Sequence, residues 1–303
     1  MHYPDLKRRL DGKETVYLDG GIGTEILRRG YTWASHQLES EPQLNLEIHR
    51  DYIAAGADVI TTNTFQLSRR SFRNHFANEQ HMLSTGAPGL VDRVAALVSD
   101  AVTLAAEARE MAGRKDVAIA ASITTLEWCF RPDRTPDPEQ MHAEYLEELS
   151  DYKSAGADML LFETFNSTAE AKVALQAAGE IGLPAWVALV PYGDGKLLGG
   201  ESMNQVVEAL ASNPPDVLLL NCAPPEHITA GLENLAPLWD GPLGVYAHVG
   251  KFNPPEWQFT DEFPPEAYLA VCRRWHELGA TVIGGCCGTT PDHIAALTAA
   301  ALS

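Results

Sequence analysis

The chain has 303 residues, of which 45% are hydrophobic and 21% are charged, an ordinary composition for a globular protein. Acidic residues outnumber basic ones by 41 to 22, and this excess argues against binding to nucleic acid or to an anionic membrane surface. No apolar run reaches the length of a membrane span, and residues 1–13 are charged and lack the apolar centre of a signal peptide. We therefore expect a cytoplasmic protein whose five cysteines are ligands, catalytic groups or core residues rather than disulfides.

Eight short apolar runs, each followed by a helical stretch, are predicted to be β-strands. Most are continuously apolar, as in strands that are buried on both faces. In chain order they cover residues 15–19, 58–65, 117–124, 159–165, 185–191, 217–222, 243–249 and 281–286. Alternating strands and helices favour a parallel sheet, and eight such units predict an α/β protein with one domain over residues 1–303, a (β/α)8 TIM barrel. An open doubly wound sheet is the alternative.

Three of the predicted helices have specific signals. Residues 138–155 place four large apolar side chains on one stripe. Ser167 and Glu170 have the spacing of a capping box before a helix that runs to residue 178. Thr290 and Pro291 have the N-cap and first-turn preferences of a last helix.

One segment recurs along the chain and locates the mouth of the barrel. Residues 52–58 and 152–158 both read Tyr-x-x-Ala-Gly-Ala-Asp, and residues 275–281 are a weaker copy. In each copy the glycine ends a helix and the next strand follows at once. Seven residues beyond these glycines stand three polar or reactive side chains, Asn63, Glu163 and Cys286. We expect them at the carboxyl-terminal face of the barrel, which carries the active site in this fold.

Three cysteines follow two of the predicted strands. Cys222 ends the sixth strand, and Cys286 and Cys287 end the eighth between glycines that leave room for a ligand or an ion. Three thiolates predict a zinc site with one open position, better suited to binding an incoming thiol than to generating hydroxide. The alternatives are a vicinal disulfide, three buried apolar residues, or a closed structural zinc site, whose usual Cys-x₂-Cys spacing is absent. Cys129, in a loop at the mouth, stays open as a ligand, and Cys272 is expected in the core.

The chain resembles the homocysteine S-methyltransferase family over nearly its whole length. The paired-cysteine motif at residues 284–291 (Gly-Gly-Cys-Cys-Gly-Thr-Thr-Pro) is highly specific, and Asn221-Cys222 looks like the other zinc motif of the family. The segment 18–25 (Leu-Asp-Gly-Gly-Ile-Gly-Thr-Glu) looks like the opening motif of the family. Residues 55–58, 61–65 and 162–164 also fit.

The resemblance implies a zinc-dependent barrel that methylates homocysteine to methionine. The Zn²⁺ ligands that it implies are the three cysteines of the motifs, Cys222, Cys286 and Cys287. Homocysteine sulfur would take the fourth position, Asp19 and Glu163 would hold the substrate ammonium group, and the backbone of Gly23 and Thr24 would receive its carboxylate. Glu163 and the cysteines are thus the predicted catalytic residues.

Several of these residues have rival roles. Asp19 and Glu163 are also candidates for a general acid and base, or for a helix cap or a surface ion pair. Asn63 is expected either to order the site through hydrogen bonds or to shape a backbone turn. Tyr246 lines the substrate pocket or belongs to the barrel core, and His248 is not assigned to zinc.

The methyl donor is less well defined than the thiol acceptor. Many family members have a Gly-Pro segment after the third strand and an asparagine after the seventh, both of which this chain lacks. Two long loops, residues 128–138 and 251–265, are expected to overhang the mouth as lids, with Trp128, Phe130 and Trp257 available for cation–π contacts. S-methylmethionine is the first candidate donor, with S-adenosylmethionine and betaine behind it. A methyl-corrinoid donor would need a separate partner protein.

The leading hypothesis is therefore a thiol methyltransferase. A zinc hydrolase is disfavoured because it would use histidine or carboxylate ligands. A non-catalytic thiol or metal sensor is the other alternative, and it would bind homocysteine without turnover. The sequence does not indicate an oligomeric state.

Overall fold

The strands of the protein begin close to where the apolar runs begin. The computed structural model describes residues 3–32, 41–75, 89–127, 129, 131–253, 256–260 and 262–302. The strands are β1 (Val16–Tyr17), β2 (Val59–Thr61), β3 (Ala118–Ile123), β4 (Met159–Phe165), β5 (Ala185–Leu189), β6 (Val217–Asn221), β7 (Leu243–Ala247), β8 (Lys251–Asn253), β9 (Glu256–Gln258) and β10 (Ala280–Gly285).

Eight of these strands form one parallel sheet in the order β1–β10–β7–β6–β5–β4–β3–β2. The two outer strands also meet, because Leu18 forms a parallel bridge with Val59. The amide of Asp58 donates to the Tyr17 carbonyl at 2.8 Å, and the amide of Asp19 donates to the Val59 carbonyl at 3.0 Å. The sheet is therefore closed, which confirms the predicted (β/α)8 barrel and makes the open-sheet alternative wrong.

Helices surround the barrel. They are α1 (Tyr3–Asp11), α2 (Ile22–Arg28), α3 (Pro42–Ala54), α4 (Arg69–His75), α5 (Leu90–Met111), α6 (Pro138–Ala155), α7 (Thr168–Ile181), α8 (Met203–Leu210), α9 (Pro225–Leu235), α10 (Pro265–Glu277) and α11 (Pro291–Ala300). Within the described residues, no helix combines the length and apolarity that a membrane span needs.

The predicted helix signals are confirmed with one difference. The apolar stripe of α6 is buried, and Thr290 and Pro291 begin α11 as predicted. Ser167 caps α7, its hydroxyl accepting from the Glu170 amide at 3.4 Å. The Glu170 side chain does not accept the second hydrogen bond of a capping box, from the Ser167 amide. It accepts from the Leu126 amide and the Tyr145 hydroxyl, both at 2.8 Å, so it links α7 to the segment after β3.

The recurring Ala-Gly-Ala-Asp segment has a common structural role. Asp58 accepts from the Tyr17 amide on the neighbouring strand at 3.0 Å and from Arg9 at 2.8 Å. Asp158 accepts in the same way from the Ile119 amide at 2.9 Å and from Arg109 at 2.8 Å. The aspartate thus fixes the register of its strand against the preceding one.

Two elements were not predicted. Helix α1 closes the amino-terminal end of the barrel, where Leu6 and Leu10 pack with residues of the barrel interior. The Trp186 indole donates to the Tyr3 hydroxyl at 2.9 Å, and Tyr3 donates to Asp216 at 2.8 Å. The second element is the antiparallel pair β8–β9, which lies in the segment 251–265 that we expected to be an irregular loop.

Candidate metal and active site

The three predicted ligand cysteines converge at the carboxyl-terminal mouth of the barrel. Cys222 directly follows β6, and Cys286 and Cys287 directly follow β10. Their three Sγ atoms lie within 4.8 Å of one another. A tetrahedral metal with metal–sulfur bonds of about 2.3 Å needs sulfurs about 3.8 Å apart, so the cluster fits such an ion after side-chain shifts of about 1 Å. The described residues supply three thiols to this cluster, which would leave a fourth coordination position open on such an ion.

The end of β7 holds both cysteine segments in place, because β7 lies between β6 and β10. The Cys222 amide donates to the Tyr246 carbonyl at 3.2 Å, and the Cys286 amide donates to the Ala247 carbonyl at 2.9 Å. In the next two hydrogen bonds the segment after β7 is the donor. The His248 amide donates to the Ala223 carbonyl at 3.2 Å, and the Val249 amide donates to the Cys287 carbonyl at 2.8 Å. Four main-chain hydrogen bonds therefore fix the backbone of all three cysteines.

The backbone at the cysteines is unusual. Cys222 has a φ of +51°, a left-handed conformation that costs a non-glycine residue free energy and persists only when the surroundings enforce it. Gly288 has a φ of +85°, and a Cβ atom there would lie 1.7 Å from the Val249 carbonyl oxygen. Only glycine fits at this position.

Two threonines connect the paired cysteines to the start of α2. The Thr289 hydroxyl donates to the Cys286 carbonyl at 2.6 Å. The Gly288 amide donates to the Thr24 hydroxyl at 2.9 Å, and that hydroxyl donates to the Gly21 carbonyl at 3.0 Å. The segment that contains Gly23 and Thr24 is thereby attached to the cysteine cluster.

The three thiols share hydrogen bonds. Those from Cys222 and Cys286 hold the pKa of Cys287 well below its usual range, against the effect of burial. The hydrogen bonds with Cys222 and Cys287, together with burial, raise the pKa of Cys286 well above its usual range.

Asp19 lies at the end of the first barrel strand and is almost completely buried. It accepts from the Thr61 amide at 2.7 Å and from the Thr61 hydroxyl at 3.1 Å. Burial raises the pKa of Asp19 well above its usual range, and the negative charge of Glu163 raises it further. Asp19 therefore neither caps helix α2 nor forms a surface ion pair.

Glu163 lies on β4 and is 9% exposed. It accepts hydrogen bonds from the Ser122 hydroxyl and, at 3.3 Å, from the Tyr246 hydroxyl. Burial raises the pKa of Glu163 to about 7, although both hydrogen bonds oppose the shift. Tyr246 is thus both a barrel-core residue and a partner of Glu163.

The two buried carboxyl groups of the site lie among acidic neighbours. Within the described residues, no lysine or arginine is among the groups that most shift the pKa of Asp19 or Glu163. The charges that do act on these carboxyl groups are that of Glu163 on Asp19 and that of Cys287 on Glu163. Two buried carboxyl groups without a cationic partner in the described part of the chain form a site that a bound ammonium group would complete.

The remaining predicted residues are less central. Asn63 is buried and donates to the Asn45 side chain of α3 at 2.7 Å, which ties the end of β2 to that helix.

Cys129 is buried and close enough to Cys287 and Glu163 for their charges to raise its pKa, after the larger effect of burial. It does not belong to the cluster of three. Cys272 is a core residue, as predicted. Trp128 and Phe130 lie outside the described residues.

Sequence reasoning missed the residues that support the predicted ones. Thr61 and Ser122 hold the two carboxyl groups, and the sequence analysis assigned this role to neither. Trp257 lies against Gly288, since a Cβ atom at that glycine would be 3.2 Å from the indole Cζ2. Its ring also meets the His248 ring edge to face, with the centroids 5.7 Å apart.

Comparison with known proteins gives a consistent result. The family model described as homocysteine S-methyltransferase matches residues 16–301. Homocysteine S-methyltransferase 1 of Arabidopsis thaliana is 27% identical, over 97% of this chain and 95% of the relative. Homocysteine S-methyltransferase YbgG of Bacillus subtilis is 29% identical, over 98% of both chains. The crystal structure of homocysteine methyltransferase MmuM from Escherichia coli in its metallated form superposes with a TM-score of 0.80 at 28% identity, covering 97% of this chain and 99% of MmuM.

Proposed function

This chain belongs to the homocysteine S-methyltransferase family, and we propose that it methylates homocysteine to methionine with a sulfonium or ammonium donor, S-methylmethionine being the first candidate. One observation carries the proposal. Three clustered thiols with an open coordination position lie in the same mouth as two buried carboxyl groups that have no cationic partner among the described residues. A thiol that also carries an ammonium group complements both features.

The metal that we propose is Zn²⁺, held by Cys222, Cys286 and Cys287. The all-sulfur donor set supports zinc over harder cations, which prefer oxygen ligands. When bound there, zinc would lower the pKa of a coordinated substrate thiol, so that a thiolate nucleophile is present at neutral pH. The five free cysteines suit a reducing compartment, and a cytoplasmic location is part of the proposal.

The amino-acid part of homocysteine would be held by two groups of residues. Asp19 and Glu163 would accept hydrogen bonds from the ammonium group, whose charge favours the ionised form of both carboxyl groups. The amides of Gly23 and Thr24, in the first turn of α2, would receive the carboxylate. Thr61, Ser122 and Tyr246 would keep the two acids oriented while the substrate binds.

The transfer itself needs no acid or base. The homocysteine thiolate attacks the donor methyl carbon in line with its bond to the sulfonium sulfur, so one carbon–sulfur bond forms as the other breaks. With S-methylmethionine, the bonding electrons stay on the departing sulfur, and both products are methionine. The chain contributes by holding the reactants in line and by excluding water.

A non-catalytic thiol or metal sensor is the second candidate, and the buried, strained cysteine site is compatible with it. S-adenosylmethionine, betaine and a methyl-corrinoid partner protein are alternative donors. A zinc hydrolase is disfavoured because the donor set contains three thiols and no histidine.

The test is to measure zinc content together with methionine formation from homocysteine and each donor. We expect one zinc per chain and turnover with one donor, and we expect Cys286→Ser to lose both stoichiometric zinc and methyl transfer. Cys272→Ala is the matched control, because Cys272 is a buried thiol of the core outside the cluster. A Cys286→Ser protein with full zinc and full activity would falsify the assignment, and homocysteine binding without turnover on any donor would favour the sensor.

A further inference from the structure

His248 contacts the turn that carries Cys222, and Trp257 contacts the turn that carries Cys287. The His248 amide donates to the Ala223 carbonyl, next to Cys222 in the chain, and its ring interacts with the Cys222 backbone. The next residue, Val249, donates to the Cys287 carbonyl. His248 is therefore at the junction of the two turns.

Trp257 covers this junction from β9. Its indole Cζ2 would be 3.1 Å from a Cβ atom at Gly250 and 3.2 Å from one at Gly288, so the ring lies flush against both glycines. The His248 ring lies nearly perpendicular to it, at 80°. The indole Nε1 is buried and has no hydrogen-bond partner among the described residues, which carries a free-energy cost. The indole is thus held there by its contacts with Gly250 and Gly288 rather than by a polar bond.

The strain at Cys222 indicates what these contacts do. A cysteine with a φ of +51° would relax to an ordinary conformation if its surroundings allowed it. The two interactions of His248 with residues 222 and 223 oppose that relaxation, and Trp257 packs against Gly288 beside Cys287. We propose that His248 and Trp257 are positioning residues that hold the Cys222 turn and the Cys287 turn at the separation that a tetrahedral metal requires. This inference rests on the proposed metal site.

The test is the zinc dissociation constant, measured by competition with a chromophoric chelator. We expect His248→Ala and Trp257→Ala to raise it about 10- to 100-fold, the range found when residues that orient metal ligands are removed. Trp257→Phe keeps an aromatic ring but loses the Cζ2 contact with the two glycines, so its zinc dissociation constant should lie between those of the wild type and Trp257→Ala. His142→Ala is the control, since His142 pairs with Glu180 on the surface.

Cobalt substitution gives a second measurement that a purely structural role would not change. In both alanine variants the d–d absorption bands of bound Co²⁺ should shift, while the number of thiolates bound stays at three. If His248→Ala does not fold, His248→Phe carries the test, because it keeps a ring but loses the interaction with the Cys222 backbone, so it too should bind zinc more weakly.

The outcomes separate this inference from the proposed function. Alanine variants with wild-type zinc affinity and an unchanged cobalt spectrum would overturn the positioning role and leave methyl transfer standing. Wild-type protein that binds zinc but methylates no thiol would contradict the proposed function alone. Wild-type protein that binds no zinc would overturn both.

Discussion

Glu163 is the residue whose ionisation decides whether the site accepts a cation. Its pKa is raised to about 7 by burial, and the hydrogen bonds from Ser122 and Tyr246 only partly offset this effect. The other charged groups that face it are Asp19, from the first strand, and Cys287. Both are acidic, so neither stabilises the ionised form. A substrate ammonium group would do so.

The sign of the pH dependence follows. Glu163 is mainly protonated below pH 7 and mainly ionised above it, and an ammonium group binds the ionised form more strongly. We compare the homocysteine affinity of the wild type with that of Glu163→Gln at each pH. The ratio of the two affinities should rise with pH between pH 5.5 and 7, by up to about tenfold per pH unit, and should level off above pH 7.5. Calorimetry on zinc-loaded protein measures both affinities, and using their ratio cancels the titration of the substrate thiol. Parallel pH profiles for the two proteins would mean that Glu163 does not contact the ammonium group.

At the residue scale, the sequence predicted those site residues that lie together in short motifs. Cys286 and Cys287 are adjacent in one motif, and their convergence with Cys222 follows from the parallel strands that precede them. The supporting residues could not be found in this way. Ser122 is 41 residues from Glu163, and Thr61 is 42 residues from Asp19. Such pairs depend on the register between strands, which a single sequence does not specify.

At the scale of elements, the opposite ends of the barrel have different roles. Helix α1 closes the amino-terminal end, and Leu6 is completely buried against the barrel interior. The cysteine cluster lies at the carboxyl-terminal end. In barrels of this kind the first end contributes stability and the second carries function, so the two should respond separately to substitution.

We therefore expect Leu6→Ala to reduce the free energy of unfolding by about 2–5 kcal/mol, because it removes buried methyl groups and leaves a cavity. The zinc dissociation constant of the folded protein should not change. Urea unfolding and chelator competition measure the two effects. Lys7→Ala is the control on the same helix, since Lys7 is exposed and its ion pair with Asp11 contributes little. A large change in zinc affinity with Leu6→Ala would show that the two ends are coupled.

The elements that the sequence did not predict have a common physical origin. The eight barrel strands and α6 were found because each has its own apolar pattern. Helix α1 is short and charged, and it is ordered by contacts such as that between Tyr3 and Asp216, which are 213 residues apart. The β8–β9 pair lies in a segment rich in proline, and its Trp257 packs against Gly288, far along the chain. Both elements depend on a barrel that is already formed.

At the scale of the whole molecule, the net charge of −19 has a consequence for the methyl donor. An acidic protein attracts cations over a distance set by the ionic strength, about 10 Å at 0.1 M salt. S-methylmethionine carries a sulfonium in addition to its ammonium and carboxylate groups, so its net charge is +1. Betaine has a net charge of zero. The electric field of the protein should therefore concentrate the first donor and not the second.

We expect kcat/KM for S-methylmethionine to fall by about threefold or more when the ionic strength is raised from about 20 mM to about 300 mM, mainly through a higher KM. The kcat at saturating donor should stay constant, because the reactants are then already bound in a site that salt screens only weakly. Initial rates over a range of donor concentrations at each ionic strength measure both parameters. Any turnover with betaine should show little dependence on salt. A kcat/KM for S-methylmethionine that is independent of ionic strength would mean that the acidic exterior does not act on the donor, and that recognition resides within the mouth of the barrel alone.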